Sequence, residues 1–183
     1  MFSYGHANMV ELIGIYGAAT ALLSIAGGLK LVDPLPAVAA LRGVGVTASP
    51  TTVRIAAAGE CLLGAVAFVQ PSAVVAIGVG VVYAAFVLFV TVAMRAGDGA
   101  TSCGCFGRDD TPPDVMHVIL NGSLAAVAIG VATSGAGAPV EVIDDGVATG
   151  IATLAAITLL TYLLIIAYSV LPRTRAAVRA VAS

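Results

Sequence analysis

The chain has 183 residues, of which 60% are hydrophobic and only 10% are charged, and its formal net charge is −2. Its mean hydropathy of +1.06 is far above that of soluble domains, and its basic residues form no patch dense enough to indicate nucleic-acid binding. The composition therefore excludes an ordinary soluble domain and indicates helices that cross a membrane.

Apolar segments of spanning length recur along the whole chain. Five of them approach or exceed the roughly 18–20 residues that a helix needs to cross a bilayer, namely residues 10–31, 52–69, 72–94, 114–132 and 147–171. The strands of a membrane barrel would alternate in polarity over about 10 residues, and the sequence shows no such alternation. We expect an all-α, polytopic membrane bundle: a four-helix core in residues 1–135, followed in residues 136–183 by an outer loop, a fifth transmembrane helix and a basic tail.

The connection after the first span contains a second, shorter apolar segment. Pro34 and Pro36 end the first helix, and "LPAVAALRG" is apolar but too short to cross the membrane. We expect a short helix in the membrane surface, with Arg42 reaching the lipid headgroups. Lys30 and Arg54, at the neighbouring helix ends, are interpreted as similar anchors.

Glu60 lies near the middle of the second span. A carboxylate at that depth costs about 3 kcal/mol, so it should face the bundle interior and have a partner or a proton. His117 and Asn121, in the fourth span, are the candidate partners. The adjacent Cys61 is either a small packing residue or a third thiol that relays electrons.

The loop of residues 95–112 carries two of the three cysteines, Cys103 and Cys105, in "CGCFG". A disulfide between such close neighbours would be strained and therefore easily reduced, which suits redox exchange better than structural support. Two readings remain open beside this one. The cysteines are unrelated free thiols, or Cys103, Cys105 and His117 bind zinc or copper(I) with a nearby aspartate as fourth ligand.

The fourth span begins with a polar stripe. Asp114, His117 and Asn121 follow one another at i, i+3 and i+7, which places them on one helix face below the cysteine loop, and this face should point inward. His117 can carry protons for thiol chemistry or simply donate a hydrogen bond to Glu60.

The distribution of charge predicts the orientation. With five spans, all eight basic residues fall on one side of the membrane. The positive-inside rule then places the N-terminus outside and the C-terminus in the cytoplasm. The cysteine loop would face the cytoplasm.

These features together resemble a known family. The "CGCFG" after the third span, Asn121 in the next span, "GGLKLVDP" at residues 27–34 and the acid in the second span resemble the MauE/DoxX-type redox-associated membrane proteins, and MauE more than DoxX because of the CxCFG motif. The resemblance covers roughly residues 10–135. It implies a small helical bundle of the bacterial plasma membrane, with Cys103 and Cys105 as a redox pair, a thioredoxin-like partner and disulfide formation in the exported small subunit of methylamine dehydrogenase.

The leading hypothesis is a membrane thiol–disulfide redox protein in which Glu60 and His117 manage protons and a quinone is a candidate terminal partner. The alternatives are an accessory or scaffold subunit of a membrane complex and a Cys/His metal-binding membrane protein. The leading hypothesis conflicts with the predicted topology. Disulfides of exported proteins form outside the cytoplasm, whereas the charge distribution places the cysteine loop in the cytoplasm. Either electrons cross the membrane, with Cys61 as a relay, or the predicted topology is wrong.

Overall fold

A computed structural model describes residues 3–70, 72–96, 112–135, 137–144, 146–172, 174 and 178. These residues form helices joined by short turns, namely α1 (Ser3–Val32), α2 (Leu35–Gly43), α3 (Pro50–Val69), α4 (Ala73–Arg95), α5 (Val115–Ser134), α6 (Pro139–Asp144) and α7 (Val147–Ser169). Cys103, Cys105 and most of the predicted cysteine loop lie outside the described residues.

The expected all-α membrane bundle is confirmed. Within the described part of the chain, five helices are long and apolar enough to cross a membrane: α1 from Glu11 onward, α3, α4, α5 and α7. Their bounds lie within three residues of the predicted spans. The short apolar segment between the first two spans forms α2, as predicted, beginning directly after Pro34.

The first spanning helix is the centre of the bundle. More than half of its spanning segment, 56%, is buried inside the protein, against 22–28% for the other four spans. α1 packs against α3, α5, α6 and α7, while α4 packs mainly on α5. Tyr83 of α4 also reaches α1, where its hydroxyl donates a 2.7 Å hydrogen bond to the carbonyl of Ala19. The other four spans therefore expose most of their apolar surface to lipid.

Two glycines bring α1 and α3 into backbone contact. A Cβ on Gly27 would lie 2.7 Å from both the carbonyl oxygen of Ala57 and the amide nitrogen of Cys61, and a Cβ on Gly64 would lie 2.6 Å from the carbonyl oxygen of Thr20. Since the two contacts run in opposite directions along the two helices, α1 and α3 are antiparallel. Small residues are what lets membrane helices approach this closely.

The predicted outer loop contains a short helix that belongs to the core. Ala138 and Val142 of this region are buried, and α6 packs against α7 and α1. Farther along α7, the side chain of Ile157 fills the space beside Gly17 of α1. The fifth spanning helix is therefore packed on the central helix, as α3 and α5 are.

Candidate functional site

Buried charge lies where the C-terminal end of α1 meets α3. The ammonium of Lys30 and Oε2 of Glu60 are 2.5 Å apart, and only 7% and 15% of the two side chains are exposed. Side chains lean toward the N-terminus of their own helix. Because α1 and α3 are antiparallel, the Lys30 side chain and the Glu60 side chain point in opposite directions along the helix axes. Each points toward the other, so the two charged groups meet.

This pair corrects two predictions. Glu60 does face a partner, but the partner is Lys30 and not His117 or Asn121, and Lys30 is a buried member of an ion pair and not a helix-end anchor. The prediction assumed that a lysine near a helix end extends toward the headgroups. The backbone contact at Gly27 instead brings Glu60 within reach, and a carboxylate is a better partner than lipid for a desolvated ammonium.

An aromatic ring completes the surroundings of the ammonium. Nζ of Lys30 lies 4.9 Å from the centroid of the Phe86 ring of α4, within the range of a cation–π interaction. Phe86 in turn meets Tyr83 edge to face, with ring centroids 6.1 Å apart. The charge of Lys30 is thus compensated from two helices, by the carboxylate of α3 and the ring face of α4.

A cavity of about 280 Å³ adjoins this ion pair. Its wall comes from α1, α2, α3, α4 and the turn before α3, and it is apolar except for Lys30, Glu60 and Thr52. Ala56 and Ala85, which also line it, are exposed positions of α3 and α4. The cavity therefore opens sideways between these two helices, toward the surroundings of the bundle.

His117 has a structural task at the start of α5. Asp114 is the N-cap, and its side chain accepts hydrogen bonds from the amides of Val115 and His117. In return, Nδ1 of His117 accepts a 3.3 Å hydrogen bond from the amide of Asp114. This reciprocal arrangement is a capping box in which histidine stands in the place usually held by Glu or Gln. Because Nδ1 accepts from the backbone, the ring proton is assigned to Nε2.

The other side of the imidazole faces α7. His117 is 1% exposed, and its ring meets that of Tyr168 edge to face at 5.5 Å between centroids. Its Nε2 is buried and makes no hydrogen bond of good geometry with the described residues, although the backbone of Tyr168 lies near it. His117 is therefore a buried histidine that belongs to the cap of α5 and also packs against α7.

Asn121 is a buried polar residue of α5 that shares a small cavity with Lys30. Its Nδ2 donates a 2.7 Å hydrogen bond to the carbonyl of His117, and it is 2% exposed, so the predicted inward orientation of the polar stripe is confirmed. Asn121 and Lys30 both line a small cavity of about 20 Å³.

Of the three cysteines, Cys61 is the one that the structure describes. Cys61 is a free thiol of intermediate exposure on α3, and its carbonyl accepts a 3.3 Å hydrogen bond from the Ser24 hydroxyl. Cys103 and Cys105 lie outside the described residues, so their pairing and the proposed metal site remain predictions. Within the described ranges, no group of three or more His, Cys, Asp or Glu side chains could hold a metal ion.

Sequence reasoning missed three residues of the site. Lys30 is the chain's one lysine among eight basic residues, and its position two residues before the end of α1 was the available signal that it could reach Glu60. Phe86 and Tyr168 carried no such signal, because a single aromatic residue in an apolar span is equally typical of the lipid-facing surface.

Fold and site define a polytopic helical membrane protein with a buried ion pair and an adjoining apolar cavity at one end of its bundle. The family profile described as "Methylamine utilisation protein MauE" matches residues 8–134. The chain therefore belongs to the MauE family, and the matched residues contain α1 from its second turn through α5. The DoxX part of the resemblance has no such support. Comparisons with curated proteins and with solved structures gave no match.

Proposed function

We propose that this MauE-family protein is a membrane thiol–disulfide redox protein whose reactive groups are Cys103 and Cys105. In one turnover the two thiols become a disulfide, releasing two electrons and two protons, and the disulfide of a thioredoxin-like partner takes both up as it opens to a dithiol. The reverse exchange uses the same groups. Exchange proceeds through a mixed disulfide between one thiolate and the partner.

The observation that carries the proposal is that buried charged and polar side chains gather at the end of the bundle where α4 ends and α5 begins. Residues 97–111 join the C-terminal end of α4 to the N-terminal end of α5, and the Lys30–Glu60 pair, His117 and Asn121 lie at the same end of the bundle. Buried ionisable groups are costly inside a membrane, and where they gather they are typical of a functional site.

We expect these groups to transfer protons. Each oxidation of a dithiol releases two protons. Glu60, balanced by Lys30, is the buried carboxylate that could accept one of them, and the Nε2–H of His117 is a buried donor that could pass one on. In a bilayer such groups are costly unless they have a function or a firm partner. The carboxylate has such a partner, so its assignment to proton transfer is a proposal that needs its own test.

Trapping the mixed disulfide tests the exchange. In a Cys103→Ser or Cys105→Ser chain, the remaining thiol can attack the partner but cannot release it, so one of the two variants should accumulate a partner adduct on a non-reducing gel. Cys61→Ser is the matched control and should behave like the unaltered chain. Wild-type behaviour of both loop variants in cells would refute the proposal.

The accessory role is the second candidate, favoured by a family match that names methylamine utilisation and no redox chemistry. An accessory subunit would co-purify with its membrane complex, and the complex would survive replacement of both Cys103 and Cys105 by serine. Loss of the complex together with the thiols would favour the redox role.

A further inference from the structure

The cavity beside Lys30 and Glu60 has the properties of a binding site for a lipid-soluble molecule. At about 280 Å³ it is close to the lower limit of small-molecule sites. It accommodates one ring-sized head group but not a phospholipid head with two acyl chains. Its open side lies between α3 and α4, where Ala56 and Ala85 are exposed, so a ligand can enter from the bilayer without crossing the bundle.

The polar end of the cavity selects the kind of head group. Lys30 and Glu60 neutralise one another, so a ligand anion would add an unbalanced charge beside the carboxylate, and a ligand cation would do so beside the ammonium. A neutral head group avoids both. The Lys30 ammonium has three N–H groups. Among the described residues, Glu60 accepts a hydrogen bond from it. A ligand carbonyl can therefore accept a hydrogen bond from a second N–H group.

The apolar walls favour a flat head group. Phe86 and Phe89 both contribute to the lining, and aromatic rings pack well against planar π-systems. Leu41 of α2 and Val53 of α3 complete an apolar enclosure near them. A neutral, planar, carbonyl-bearing molecule with an apolar tail satisfies all of these conditions, and quinones are the membrane-soluble class with that description.

We propose that this cavity binds the head group of a quinone, with one carbonyl hydrogen-bonded to Lys30 and the ring beside Phe86. The redox role of this site rests on the function proposed above. In that role the Cys103 and Cys105 thiols form a disulfide and the quinone becomes a hydroquinone. The two electrons and two protons lost by the thiols end on the quinone, with one proton on each of its oxygens.

Competitive photolabelling tests binding separately from redox chemistry. The full chain in phosphatidylcholine nanodiscs would be irradiated with an azido-benzoquinone and increasing decylubiquinone, and labelled residues would be mapped by mass spectrometry. We expect label in α2, α3 or α4 around the cavity, displaced in a saturable manner. Label that decylubiquinone does not displace, or label spread evenly over the lipid-facing helices, would overturn the proposal.

Two neighbouring alanines provide a matched pair of variants. Ala85 and Ala84 are both exposed positions of α4, but only Ala85 lines the cavity. Filling the cavity with Ala85→Leu should raise the decylubiquinone concentration needed for half-displacement by about tenfold, a loss of about 1.4 kcal/mol, while Ala84→Leu should leave it unchanged. Equal displacement in the two variants would contradict the assignment of the cavity.

The Cys103→Ser/Cys105→Ser double variant separates this inference from the proposed function. Because the cavity contains neither cysteine, displaceable labelling should persist in that variant at the same half-displacement concentration. If labelling persists but the unaltered chain never forms the disulfide, the binding site stands and the proposed redox function fails. If the disulfide forms and cycles but no labelling is displaced, the binding site fails and the thiol chemistry stands.

Discussion

The contact between Lys30 and Glu60 is the most consequential interaction at the scale of single residues. Both charges are largely removed from solvent, and breaking such a pair leaves the remaining charge buried without compensation. Replacing both charges together removes that penalty, so the pair should be strongly coupled.

A double-mutant cycle measures this coupling. Lys30→Met and Glu60→Gln should each lower the free energy of unfolding by about 3–5 kcal/mol, and the double variant should be more stable than the sum of the two losses predicts. Equilibrium unfolding in mixed detergent micelles checks this. Strict additivity of the two losses would show that the pair contributes no interaction energy.

His117 caps α5 and is proposed to transfer protons, and one substitution can separate the two roles. Glutamine is an ordinary member of a capping box at this position, so His117→Gln keeps an acceptor for the Asp114 amide but removes the imidazole and its contact with Tyr168. We expect the rate of Cys103–Cys105 oxidation to fall while α5 stays folded.

The control for this prediction is Asp114→Ala, which removes the N-cap carboxylate and should cost about 1 kcal/mol of stability without the same fall in rate. Stopped-flow oxidation of the reduced chain supplies the rate, and circular dichroism supplies the helix content. An unchanged oxidation rate in His117→Gln would leave His117 as a capping residue only.

At the scale of helices, the antiparallel contact of α1 with α3 is what brings the charged groups together. The contact depends on Gly27, where an added Cβ would meet backbone atoms of Ala57 and Cys61. Backbone atoms cannot rotate away as a side chain can, so the helices would have to separate.

Neighbouring glycines make a matched test of that contact. Gly27→Ala should lower the free energy of unfolding by about 1–3 kcal/mol, and Gly28→Ala, where nothing lies within 4 Å of the added Cβ, should be neutral or slightly stabilising because alanine favours the helix. Unfolding in mixed micelles compares the two. Equal stability of both variants would contradict the close approach of α1 and α3.

The same contact explains what the sequence could predict and what it could not. Apolar run length predicted all five spans and the segment of α2, because crossing a bilayer imposes a length that can be counted along the chain. The partner of Glu60 depends on which helices touch and on how side chains lean between them. Spacing within α5 correctly predicted an inward polar stripe, but it carried no information about the distance of that stripe from α3.

At the scale of the whole molecule, charge asymmetry is the basis of the orientation. With five spans, the predicted topology assigns all eight basic residues to the side of the membrane that would also hold residues 97–111. The positive-inside rule predicts that this side is cytoplasmic, which would make the thiols draw their electrons from, or deliver them to, the cytoplasm.

Thiol labelling on intact cells tests the orientation. In a Cys61→Ser background, a membrane-impermeant maleimide should leave Cys103 and Cys105 unlabelled until the cells are lysed, while a permeant maleimide should label them in intact cells after mild reduction. Labelling by the impermeant reagent from outside would reverse the orientation and place the thiols on the side where exported proteins form disulfides.

Cys103 and Cys105 are proposed to store and release two electrons as a disulfide. The most direct test equilibrates the purified chain in glutathione redox buffers, quenches it with a thiol reagent and counts the modified cysteines by mass spectrometry. We predict a two-electron transition of this pair at a potential among those of known thiol–disulfide carriers, about −120 to −270 mV, with Cys61 unchanged throughout. Two thiols that remain reduced across the whole range, linked neither to each other nor to a partner, would contradict the account.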